Sequence, residues 1–116
     1  MKSVEASPVA CFDDIPREPR HLTTTETAAI AKALGSPTRL EILGLFHTRC
    51  PRTVGEIAAE IPLAQSTVSV HLHILSDAGV IRTFRSGPRT WHCLSRSVID
   101  GFAIAVANLV RRPDTT

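Results

Sequence analysis

Three cysteines are the residues of this sequence with the widest chemical range. Cys11, Cys50 and Cys93 lie far apart along the 116-residue chain. An odd number of thiols cannot all pair within one chain, so metal ligation or redox sensing is a more natural use for them than a disulfide framework. A cysteine can also pack as a small buried hydrophobe, and that alternative remains for Cys93.

Basic side chains form the second chemical feature. Four arginines and no acidic residue occur between Val80 and Ile99, although the net charge of the chain is only +2. A local basic stripe on a nearly neutral protein is typical of a surface that binds phosphate groups. A solvated charged face would have the same composition, so the interpretation depends on the elements that carry the stripe. The four are Arg82, Arg85, Arg89 and Arg96.

The sequence lacks the motifs of several functional classes. It has no Gly-rich phosphate loop, no H-E-x-x-H and no nucleophile with a matched base, so an enzyme is not predicted. No stretch approaches the roughly 20 apolar residues that span a bilayer, and the first residues have no apolar signal-peptide core. We therefore expect a cytoplasmic protein, in which thiols stay reduced.

The distribution of apolar residues divides the chain into three parts. Residues 1–22 contain three prolines and no sustained periodicity, so they are predicted to form an N-terminal arm. Residues 23–111 carry the periodic segments of one domain, and residues 112–116 form a polar tail. The hydrophobic content of 43% allows a core, and a domain of this size would gain further burial by dimerisation.

Helix signals come first within the domain, followed by the signals of one hairpin and of a last helix. Thr23–Glu26 has the form of a capping box, and Ser36-Pro37 is a favourable helix start. Alternating residues on both sides of Ser86–Pro88 predict a hairpin. The predicted helices run from Thr23 to Gly35, from Ser36 to before Pro51, and over Thr53–Ile61, Gln65–Ala78 and Ile99–Val110; the strands are Val80–Arg85 and Arg89–Leu94.

The order of these elements predicts a helix-turn-helix with a basic hairpin after it. The segment Pro62–Ala64 separates a short helix from a longer one, which is the unit that places its second helix in a DNA groove. The last helix is apolar on nearly all sides. Such a helix needs more than one partner surface, so we expect it to form a dimer interface.

Three motifs in sequence order resemble the ArsR/SmtB family of repressors. Lys32–Leu43 (KALGSPTRLEIL) resembles the opening signature, Leu63–Leu72 (LAQSTVSVHL) the recognition helix, and Leu75–Ile81 (LSDAGVI) its exit into the wing. The resemblance implies a mainly helical α+β fold, a dimeric winged helix-turn-helix of about five helices with a β-hairpin wing. It also implies a transcriptional repressor that binds double-stranded operator DNA as a homodimer.

The resemblance and the residue types together identify candidates for DNA contact. Side chains at the N-terminal end of the recognition helix lie away from its apolar stripe. Gln pairs bidentately with adenine, Ser pairs with several base edges, and a Val or Thr methyl packs on the thymine methyl. Two arginines at the wing tip are expected to contact phosphate or the minor groove. The candidates are Gln65, Ser66, Thr67, Ser69, Val70, Arg85 and Arg89.

The resemblance also suggests where an inducer binds. The family's zinc sensors carry histidines on the last helix and its founding arsenic sensors carry Cys-x-Cys in the third helix; neither pattern occurs here. Other arsenic repressors of the family use a thiol before the third helix and one or more in the arm, where Cys50 and Cys11 fall. The segment before the third helix pairs with the returning wing strand in this fold, which would bring Cys93 near Cys50. We expect As(III) or Sb(III) as the inducer, with these three thiolates as ligands.

The expected mechanism is a linkage between two binding events. An apo dimer would place its two recognition helices roughly 34 Å apart, one turn of DNA. The inducer would favour a dimer with the wrong spacing, and a coupling of ~1–3 kcal/mol would weaken DNA binding about 5–150-fold.

Other functions with the same fold remain open. Cysteine pairs can instead sense oxidants or reactive sulfur through disulfide or polysulfide bonds. The chain could also regulate without a ligand. A module that binds protein rather than DNA would show binding that is insensitive to salt.

Overall fold

The computed structural model describes residues 18–111 and arranges them as five helices and one hairpin. Strands β1 and β2 pair antiparallel in a register that runs from Ile81 opposite Leu94 to Ser86 opposite Arg89. This is the predicted winged helix-turn-helix order. The elements are α1 (Thr24–Leu34), α2 (Pro37–Thr48), α3 (Val54–Ala58), α4 (Gln65–Asp77), β1 (Ile81–Ser86), β2 (Arg89–Leu94) and α5 (Arg96–Val110).

Two predicted boundaries are wrong by several residues. Helix α3 ends at Ala58 rather than Ile61. The reason is Pro62, which disfavours helical backbone at the residue before it, and the chain turns there through a short hydrogen bond from Leu63 N–H to the Ile61 carbonyl. Helix α5 begins at Arg96, three residues before its periodic stripe, and Val98 in this first turn is buried.

Side-chain caps define the starts of α1 and α3. The Thr23 hydroxyl accepts the Glu26 backbone N–H, and the Glu26 carboxylate accepts the Thr23 N–H, as the sequence predicts. That backbone hydrogen bond lowers the pKa of Glu26. Thr53 and Glu56 form the same reciprocal pair at α3. These caps satisfy backbone donors at both helix starts.

One hydrophobic core connects the helix-turn-helix to the root of the wing. Each helix contributes residues from one face, and the hairpin contributes its first residues. None of the helices within 18–111 has both the length and the apolar composition needed to cross a membrane. The core includes Ile30, Ile42, Ile57, Val68, Leu72, Leu75, Val80, Ile81 and Val98.

A buried arginine joins the end of α2 to the turn after α3 and to β2. The Arg52 side chain is only 2% exposed, and its Nη1 lies 2.7 Å from a Glu60 carboxylate oxygen. Its Nε donates to the carbonyl oxygens of Leu45 and Arg49 at 3.1 and 2.9 Å, and Nη2 donates to the Thr48 hydroxyl. These bonds hold the guanidinium at the C-terminal end of α2, where the Leu45 carbonyl also accepts the Arg49 backbone N–H. Arg52 therefore fixes the segment that leads into α3.

Candidate DNA interface and thiol site

Helix α4 presents a polar face to solvent at its N-terminal end. Its inward residues Val68, Leu72 and Leu75 are buried in the core, which turns the remaining side chains outward. Ala64 is the N-cap and makes no side-chain hydrogen bond, so the first N–H groups of the helix remain available to an anion such as phosphate. The exposed candidates on this helix are Gln65, Ser66, Thr67, Ser69 and Val70.

The tip of the wing carries the two predicted arginines. Ser86 and Arg89 face each other across a two-residue turn, and Gly87 has φ 62°, a backbone conformation that favours glycine. Arg85 precedes this turn on β1 and Arg89 follows it on β2, and both are exposed. The structure therefore places two guanidinium groups at the tip of the hairpin.

A cavity of about 270 Å³ lies between α4 and the wing. His92 forms its buried wall, and the His92 Nδ1 lies 3.2 Å from the Thr83 hydroxyl. Burial lowers the pKa of His92 and favours the neutral imidazole. The other lining residues are Ser69, Leu72, His73 and Ser76. The His92 ring on β2 thus faces α4, the helix that carries candidate DNA-contact residues.

Two of the three cysteines meet behind the wing. Cys50 Sγ and Cys93 Sγ are 3.1 Å apart. This distance is longer than the ~2.05 Å of a disulfide bond, so the two sulfurs are in non-bonded contact. Cys93 is fully buried, whereas Cys50 is half-buried.

The contact between these cysteines follows from strand pairing. Arg52 forms an isolated antiparallel bridge with His92, in which each N–H donates to the other residue's carbonyl, at 2.9 and 2.8 Å. Cys50 lies two residues before Arg52, and Cys93 follows His92. The predicted pairing of the segment before α3 with the returning wing strand is therefore observed.

The described residues supply only part of a three-ligand site. Within 18–111, no group of three or more His, Cys, Asp or Glu side chains could hold a metal ion. Cys50 and Cys93 offer two sulfurs at one place. Cys11, the third predicted ligand, lies outside the described residues.

Sequence reasoning did not identify two polar contacts that position the site. One is the buried Arg52 network described above. The other joins α2 to α4, where Arg39 Nη1 lies 3.2 Å from His71 Nδ1 and Arg39 Nε donates to the Ala33 carbonyl. No local pattern identifies either contact, because arginine is usually exposed and His71 lies 32 residues after Arg39.

Comparisons with known proteins agree with this architecture. A family model described as a helix-turn-helix domain matches residues 34–83. The chain is 31% identical over 85 residues to the transcriptional repressor SdpR of Bacillus subtilis, which covers 73% of this chain and 93% of that protein. It is 40% identical over 63 residues to a probable mercury resistance operon repressor of Streptomyces lividans, which covers 54% of this chain and 50% of that protein.

Solved structures of regulators have the same fold. An ArsR family transcriptional regulator superposes with a TM-score of 0.66 at 28% identity, covering 78% of this chain and 92% of that one. A homodimeric winged helix-turn-helix DNA-binding domain from Mycobacterium bovis gives 0.62 at 27% identity, covering 79% and 87%. These relatives are DNA-binding regulators, which confirms the prediction that the chain is not an enzyme. The chain belongs to the ArsR/SmtB family of winged-helix transcriptional repressors.

Proposed function

We propose that this repressor leaves its operator when trivalent arsenic or antimony binds its cysteine thiolates. The observation that carries this proposal is the 3.1 Å contact between Cys50 Sγ and Cys93 Sγ. One soft atom can bond both sulfurs at this spacing, because bonds to thiolate are roughly 2.3 Å long for zinc. Thiolates are the ligands that soft centres prefer. The similarity to a repressor named for mercury resistance supports a thiol-seeking inducer.

Three thiolates complete the proposed site. Cys50 and Cys93 come from the two chain segments that meet behind the wing, and Cys11 comes from the N-terminal arm of the same protomer or its partner. Three cysteine thiols replace the three hydroxyls of arsenous acid, and three water molecules leave with the thiol protons. Cys50 is half-buried, so the inducer can reach the pair from solvent.

The DNA interface in this proposal combines the polar face of α4 with the wing. The helix enters the major groove and reads base edges, while the wing arginines contact phosphate or the minor groove. The seven residues proposed to contact DNA are all exposed, as such contact requires. They are Gln65, Ser66, Thr67, Ser69, Val70, Arg85 and Arg89.

The wing arginines provide a direct test of phosphate contact. In the double variant R85A/R89A, we expect weaker binding to operator and to unrelated DNA alike. We also expect the slope of log affinity against log salt to fall by about 1 for each arginine lost, since each neutralised phosphate releases counterions. Fluorescence anisotropy over a range of salt concentrations measures both effects.

A matched control is Arg96→Ala, which removes an exposed arginine from the start of α5 rather than from the wing. Its salt slope should equal that of the wild type. Equal slopes for all three proteins would contradict a wing contact with phosphate.

Dimerisation through α5 completes the proposed assembly. Four large apolar residues of this helix are exposed, namely Ile104, Val106, Leu109 and Val110. They adjoin an apolar groove of about 400 Å³ between α1 and α5. A second copy of the chain would bury this surface. The homodimeric Mycobacterium bovis domain, which shares the fold, supports this arrangement.

The inducer is tested on reduced protein bound to DNA from its own promoter. We expect arsenite and antimonite to release the DNA at about one equivalent per protomer, within the ~5–150-fold weakening typical of coupled sites. The variants C50S and C93S should bind DNA normally and resist release, because each loses one thiolate. Ser76→Ala, on the far side of β2 from the thiols, is the control and should respond like the wild type. If neither metalloid releases the reduced wild type, the proposal is wrong.

Thiol oxidation is the second candidate signal. The Cys50 and Cys93 sulfurs are 3.1 Å apart, so a disulfide bond between them would need only a small movement. Hydrogen peroxide would take two electrons from two thiols, give one disulfide and leave two waters. Release by peroxide or polysulfide alone, reversed by a reductant and absent in C50S, would favour this candidate over the metalloid.

A further inference from the structure

The chain ahead of α1 crosses α5 at a glycine. The Arg20 N–H donates to the Ser97 carbonyl oxygen at 2.9 Å. A Cβ built on Gly101 would lie 3.0 Å from the Arg20 carbonyl carbon and 3.1 Å from its nitrogen, and nearer still to its carbonyl oxygen. The obstacle is backbone, which cannot rotate away as a flexible side chain can. The crossing therefore requires that residue 101 have no side chain.

Gly101 has no other evident reason to be glycine. It lies inside a 15-residue helix, where glycine is less favourable than alanine. Its φ is not positive, since the positive values belong to Gly79 and Gly87. Gly44, inside α2, differs because a Cβ there would meet nothing within 4 Å. The close approach of Arg20 is thus the feature that explains Gly101.

We propose that Gly101 is the docking point that holds the N-terminal arm on α5, and that this contact couples the thiol site to the dimer helix. The coupling rests on the proposed function. Cys11 precedes Arg20 by nine residues, a reach of at most about 30 Å. Anchoring Arg20 keeps Cys11 at a high effective concentration near the body of the domain. When the inducer captures the arm, the arm in turn acts on α5, the helix that carries the exposed apolar surface of the dimer.

Limited proteolysis measures the docking directly. Trypsin cleaves after arginine, and the bond between Arg20 and His21 is part of the backbone that packs on Gly101. In the variant G101A, we expect the peptide that begins at His21 to appear about tenfold faster, because the displaced backbone can enter the protease. G44A is the matched control, since its new methyl group meets open space. Equal cleavage rates in wild type and G101A would overturn the docking.

The arsenite response measures the coupling. We expect G101A to bind operator within about twofold of wild type but to need about tenfold more arsenite for half release, whereas G44A behaves as wild type. If trypsin cleaves G101A faster than wild type but both proteins need the same arsenite concentration for half release, the coupling is overturned. If the reduced wild type ignores metalloids, the proposed function is wrong, and the proteolysis result still decides the docking.

A second variant tests the crossing from the other side. Arg20→Pro removes the N–H that donates to Ser97, and it leaves α5 unchanged. It should reproduce the loss of arsenite sensitivity even if G101A does not fold. Wild-type sensitivity in R20P would overturn the proposal.

Discussion

Replacing Arg52 with alanine is expected to lower the free energy of unfolding by about 3 kcal/mol, at the lower end of the range for breaking a buried pair because Glu60 is half exposed. The variant removes the guanidinium that donates to the carbonyls of Leu45 and Arg49 and opens a cavity where the side chain was. For a domain of this size, the melting temperature should fall by roughly 10–20 °C. Thermal unfolding followed by circular dichroism, at fixed protein concentration, measures the change.

Arg49→Ala is the matched control for this prediction. Arg49 also pairs with an α3 glutamate, Glu56, but its side chain is 51% exposed. Exposed ion pairs contribute about 0–1 kcal/mol, so its melting temperature should fall by less than about 8 °C. Similar losses in both variants would mean that burial of Arg52 does not set its contribution.

The same arginine connects stability to the candidate sensor. Its backbone pairs with His92, so the loop that carries Cys50 and the strand that carries Cys93 share one hydrogen-bonded bridge. The side chain of Arg52 also holds this loop, because it donates to carbonyl oxygens at the end of α2. The contact between the two sulfurs therefore follows from the hydrogen bonds that Arg52 makes and not from the cysteines themselves.

Much of the fold could be predicted because its signals are local. The capping box of Thr23 and Glu26, the Ser36-Pro37 start and the stop at Gly79 each satisfy or interrupt backbone hydrogen bonds within a few residues. The outward face of α4 followed from the spacing of its buried residues. The contact of Cys50 with Cys93 followed from topology, since the winged-helix order requires the segment before α3 to meet β2.

The remaining features depend on contacts between distant segments. Arginine is usually exposed, so the local pattern does not indicate that Arg52 is buried, although its side-chain partners lie within eight residues. Its backbone partner, His92, comes from the distant strand β2. Gly101 carries a signal, since glycine inside a helix often marks a close approach, but the sequence does not identify Arg20 as the approaching segment. The early end of α3 reflects the turn before Pro62, which competes with the helical periodicity that continues to Ile61.

Replacing Ser69 with glutamate is expected to lower operator affinity at least about 100-fold. Ser69 is exposed on the outward face of α4 and lines the cavity between that helix and the wing. In the proposed complex, a carboxylate there lies near DNA phosphates. Two like charges about 5 Å apart repel by roughly 3 kcal/mol at an effective dielectric constant of about 20, which corresponds to a factor of 100 or more. Fluorescence anisotropy at one fixed salt concentration measures the affinity.

The control introduces the same charge away from the proposed interface. Thr25 is exposed in the first turn of α1, where a carboxylate is favourable beside the helix N-terminus, so Thr25→Glu should bind operator nearly as the wild type does. Both variants should stay folded, because exposed substitutions usually change stability by about 0.5 kcal/mol or less. An equal loss in both would indicate an effect of net charge alone. If Ser69→Glu binds normally, α4 does not read the operator, and the assignment of its five DNA-contact residues is wrong.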